Sequence, residues 1–130
     1  DIVFISLGAN DAHLPSEHFP GAIGIRDQID ALLAVFEAGT IVYWILPHEN
    51  IASAWNIESP HALVTSAILE AKNSGSWPNL KVLDFDLWVD SQQKDMMALL
   101  QIDGVHLNHA GNTEWASMIQ STIDTEFPIE

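Results

Sequence analysis

The chain contains no cysteine. Disulfide staples, thiolate nucleophiles and cysteine-bound metals are therefore excluded, and the compartment is left open. Cations are nearly as scarce: four Lys and Arg stand against 18 Asp and Glu, a formal net charge of −14. This balance all but excludes nucleic acid as a partner, because binding it requires cations that release condensed counterions. Anionic membrane surfaces are disfavoured for the same reason. The acidity reads as a strongly solvated surface, with a salty native environment as the sharper alternative. No run approaches the roughly 20 apolar residues of a membrane span. No signal-peptide pattern precedes the first strand-like segment, and the chain opens on Asp1 rather than Met, which points to a processed or partial chain.

What is present is sufficient for a core. The 130 residues fit one domain, taken as 1–130, and 48% of them are hydrophobic, with five Trp and five Phe. A chain of this length buries roughly two-thirds of its unfolded surface.

Residues 1–8, "DIVFISLG", form a β-branched and aromatic run closed by Gly8 and predict a buried strand. Residues 24–39 place Ile25, Ile29, Leu32, Leu33 and Phe36 at helical spacing, with Gly39 as the expected C-cap. Residues 40–47 predict a second buried strand, stopped by Pro47. Residues 59–75 predict a helix capped by Ser59, with Pro60 in its first turn and Gly75 after its end. A third strand is expected over 80–88, and a short helix or irregular turn over 91–100. Residues 108–127 predict the closing helix, with Asn108 as cap and Trp115, Met118, Ile119 and Ile123 facing inward. Alternation of continuous apolar strands with amphipathic helices implies an α/β fold built on a parallel sheet.

In such sheets ligands bind beyond the carboxyl ends of the strands. There the segment "LGAND" offers Gly8, free to take backbone angles closed to other residues, and then Asn10. A carboxamide at that edge is a neutral donor suited to a developing oxyanion. Taken alone, the segment reads first as a turn in which Asn10 and Asp11 bond their own backbone. Further on, "DGVHLNHAG" places Asp103 three residues before His106. An imidazole acting as general base needs its other nitrogen held by an acceptor, and a carboxylate at this spacing on a tight loop can reach it. An ordinary exposed polar loop is the competing reading of the same spacing.

Taken together, "LGAND" and "DGVHLNHAGNTEWA" resemble two blocks of the SGNH hydrolases, the GDSL esterases and lipases. The resemblance implies a flavodoxin-like three-layer α/β/α sandwich that cleaves acyl or acetyl esters by Ser-His-Asp chemistry without a cofactor or metal. On that pattern Asn10 is the oxyanion donor and Gly8 the turn glycine before it. His106 is the base and Asp103 orients it. The family's serine block and its second oxyanion glycine block precede the Asn block and are missing here. None of the ten serines has the expected strand-to-helix context; Ser6, for one, is expected inside the first strand. The nucleophile and an N-terminal strand are thus expected from an upstream segment or a partner chain, or the first strand's open edge self-associates.

The remaining histidines, at 13, 18, 48, 61 and 109, show no metal-ligand rhythm and read as loop or helix-end residues. His48 and Trp55 are the expected substrate contacts, His48 because it ends the middle strand. Trp44, Trp55, Trp77, Trp88 and Trp115 read first as core or cleft wall, while Trp55 and Trp77, in loops, also suit stacking on a carbohydrate ester. The expected substrate is a small-molecule or carbohydrate ester. Two other functions stay open: a binding or structural module that retains the fold without the serine, and a flavodoxin-like module of unrelated function.

Overall fold

The computed structural model describes residues 1–8, 24–48 and 60–128. They include eight regular elements: β1 (Ile2–Ile5), α1 (Ile25–Leu33), β2 (Ile41–Ile45), α2 (Pro60–Asn73), β3 (Leu80–Leu83), α3 (Phe85–Ser91), α4 (Met96–Leu99) and α5 (His109–Glu126). The described residues group into two compact units, Asp1–Asp84 and Phe85–Glu130.

The first unit holds a three-stranded sheet in the order β1-β2-β3, parallel throughout. Side chains alternate between faces, so the register Val3↔Val42 and Val42↔Leu80 puts these three residues on one face. Ile5 and Trp44 share it, and α1 and α2 supply Ile29, Leu33, Val64, Ala67, Ile68 and Ala71 to the same core. The α2 positions 64, 67, 68 and 71 follow the helical period, and the two alanines leave little bulk between helix and sheet. Trp44 is buried inside β2 and satisfies its indole N–H by donating to Leu7 O at 3.2 Å. On the opposite face Phe4 stacks on Tyr43, with ring centroids 5.0 Å apart.

Three elements depart from the sequence expectation. The first helix ends at Leu33, not near Gly39. Val35 and Phe36 donate to carbonyls three residues back, so the helix tightens and unwinds while Phe36 still packs on the core. Gly39, at φ +96°, belongs to the connection into β2. The third strand stops at Leu83, and the rest of the expected strand is the start of α3. The stretch "LDFDLWV" alternates like a strand, but Phe85 and Val89, four apart, are the pair it buries, as on one face of a helix. Finally, β1 ends at Ile5, so Ser6 lies just past the strand, exposed, and not within it.

In the second unit α5 packs against α3 and α4. Met118 is buried on its inner face, with Trp115, Ile119 and Ile123 half-buried beside it. Glu114 accepts from Trp88 Nε1 at 3.4 Å and pairs with Lys94, joining α5 to the end of α3. Lys94 and Trp88 hold the Glu114 carboxyl below its ordinary pKa, against an opposing effect of burial. Among the described residues no helix is long and apolar enough to cross a membrane.

Candidate functional site

The residues between α4 and α5 make a closed loop. Its ends meet in an antiparallel bridge between Leu100 and Leu107. Gln101 N–H donates to His106 O at 2.7 Å, and the Gln101 carboxamide donates to Leu107 O at 3.2 Å. Gly104 turns the loop at φ +70° and donates its N–H back to Gln101 O at 2.9 Å. This turn explains the Asp-Gly pair at 103–104, since a left-handed residue is needed directly after the acid.

Asp103 divides its two oxygens between two tasks. Oδ1 accepts the backbone N–H groups of Val105 and His106, at 2.9 and 3.0 Å. Oδ2 lies 2.7 Å from His106 Nδ1. The carboxyl pKa falls from its ordinary 3.8 to about 2; the His106 side-chain bond is the main cause, followed by the two backbone N–H groups. An acceptor on Nδ1 sets the tautomer of the neutral ring: Nδ1 carries the proton and Nε2 carries the lone pair. The His106 side chain is 71% exposed. The expected acid–base contact is therefore present, at hydrogen-bond length.

The other expected site residues divide. Gly8 has φ +107°, and a Cβ there would lie 2.7 Å from Val64 Cγ1, so both conformation and space require glycine. Beside it Leu7, Ile29, Leu32, Trp44 and Val64 line a largely apolar cavity of about 150 Å³ past the carboxyl end of β1. His48 follows β2 by three residues and is 9% exposed, a buried imidazole. Asn10 and Trp55 lie outside the described residues. His109 opens α5 and is exposed, as expected. Trp77 donates its indole N–H to Asp30 Oδ1 at 2.6 Å, while Arg26 holds Oδ2 at 3.0 Å. Among the described residues no group of three His, Asp or Glu side chains could hold a metal ion.

Three of the described serines are bonded along the backbone. The hydroxyls of Ser74, Ser91 and Ser117 donate to Ala71 O, Trp88 O and Thr113 O at 2.7, 2.7 and 2.9 Å. Two further positions shape the loop and its junction with α5. Gln101 has no signature beyond its place next to the loop. Gly111 belongs to the "DGVHLNHAG" block, and a Cβ there would meet Leu99 O at 2.2 Å.

In comparisons with known proteins, no family model, curated protein or solved structure matches the chain.

Proposed function

We propose that this chain carries the acid–base half of an SGNH-type ester hydrolase, on a flavodoxin-like α/β/α scaffold. The observation that carries the reading is the Asp103–His106 contact at 2.7 Å on an exposed imidazole. In the reaction, His106 Nε2 takes the proton of a serine hydroxyl as its oxygen bonds to the ester carbonyl carbon. Asp103 stabilises the imidazolium that results. The carbonyl oxygen becomes the oxyanion, for which the family resemblance assigns the Asn10 carboxamide as donor. Collapse expels the alcohol, which takes the proton from His106. Water then releases the acid by the same two proton transfers.

On the family's pattern the nucleophile is a serine of an upstream segment or a partner chain, since no serine of residues 1–130 stands in a Gly-Asp-Ser-Leu-type sequence. The outer edge of β1 has no strand partner among the described residues, and Ile2 on it is 40% exposed. That open edge supports pairing with a further strand, from another segment or a second copy.

The test is turnover of a short-chain aryl ester by the full protein. His106→Ala is expected to lower kcat by several orders of magnitude, as removal of a triad base does. Turnover unchanged in that variant would refute the assignment.

A further inference from the structure

The Asp103–His106 pair presents a physical difficulty. Its side chains are 44% and 71% exposed, and exposed ion pairs are individually weak because water competes for both partners. Burial is not what holds this geometry. A base must nevertheless stay oriented for the chemistry to be fast. Some other feature must fix the loop.

Beside the Gln101 and Gly104 bonds inside the loop, Asn108 ties its two ends together. Its backbone N–H donates to Leu99 O at 2.9 Å. Its carboxamide nitrogen donates to Ala98 O at 2.9 Å and Leu100 O at 3.0 Å. One residue thus satisfies three consecutive carbonyls at the end of α4, groups the helix itself leaves unpaired. Its carboxamide oxygen meanwhile accepts the Gly111 N–H at 3.0 Å and caps α5. Both carboxamide hydrogens and the oxygen are in use, which only asparagine manages at this length. Gly111 completes the junction, since its missing side chain lets α5 approach the Leu99 carbonyl. The clamp closes the ends of the loop on which Asp103 and His106 stand.

We propose that Asn108 is a positioning residue for the Asp103–His106 pair, fixing the loop by clamping the Ala98–Leu100 carbonyls to the start of α5. Its meaning for catalysis rests on the ester hydrolase reading; its effect on the imidazole does not. Capping and clamping can be separated chemically. Asn, Asp and Ser are comparable helix N-caps, but Asp has no donor and Ser has one. Asn108→Asp and Asn108→Ser therefore keep the cap and weaken or remove the clamp.

The measurement is the ¹⁵N spectrum of the His106 imidazole in the full protein, with the ring neutral, which reports the tautomer directly. Wild type is expected to be chiefly the Nδ1–H form. Asp103→Asn serves as the reference for a ring whose carboxylate is gone. Asn108→Asp and Asn108→Ser are expected to move most of the way to that reference, with the α5 amide signals intact. A wild-type tautomer in both, with α5 intact, would overturn the proposal and leave Asn108 as a helix cap alone. Should neither variant fold, hydrogen exchange in the wild type decides. The Gln101 and Asn108 amides are expected to open together with one protection factor, and independent exchange would overturn the clamp. A negative ester assay leaves these outcomes untouched, so the two readings fail separately.

Discussion

At the scale of residues, Asp103 joins the loop backbone to the His106 ring. One oxygen binds two backbone N–H groups and the other binds the imidazole. Its folded pKa, about 2, lies below the ordinary value of 3.8. A depressed carboxyl pKa stabilises the fold at pH above the unfolded value, and that contribution is lost as pH falls through the folded one. Asp103→Asn should therefore be less stable than wild type near neutral pH. The gap should close between about pH 4 and pH 2, read by denaturant titration at a series of pH values. A gap independent of pH would mean that the carboxylate's charge plays no part in ordering the loop. The same substitution should lower ester turnover strongly while leaving substrate affinity little changed, because an orienting acid acts mainly in the transition state.

At the scale of elements, two packing contacts are decisive. Ile68 on α2 is fully buried against the sheet. Ile68→Ala should cost about 2–5 kcal/mol in urea unfolding, the range for a large-to-small core change. At the α4–α5 junction, Gly111→Ala places a methyl 2.2 Å from Leu99 O. The helix must shift, and a loss of about 1–3 kcal/mol is expected. Near-neutral stability in that variant would contradict the close approach. These elements were legible in the sequence to different degrees. The strands showed as continuous β-branched and aromatic runs and the long helices through an apolar period of 3.6, and α2 and α5 begin within a residue or two of expectation. The end of α1 was hidden, since Phe36 keeps the helical spacing after the backbone has left the helix. The β3–α3 boundary was hidden because "LDFDLWV" satisfies both periods at once. For the site, the Asp103–His106 contact was legible from a spacing of three and the glycine between. The clamp was not, because the carbonyls of 98–100 that Asn108 binds carry no side-chain signature.

At the scale of the whole molecule, a net charge of −14 gives a surface that repels polyanions and suits a neutral or cationic ester over an anionic one. Substrate neutrality can be read from kinetics, where an anionic ester should show a KM that falls as salt is raised. The central claim, that His106 activates a serine, is tested most directly by a fluorophosphonate probe, which reports an activated serine without requiring the natural ester. The full protein is expected to be labelled stoichiometrically at one serine, and His106→Ala to abolish that labelling. The 130-residue chain alone and a Ser6→Ala variant of the full protein locate the nucleophile: the first should stay unlabelled and the second should label normally. Stoichiometric labelling that survives His106→Ala would contradict the account.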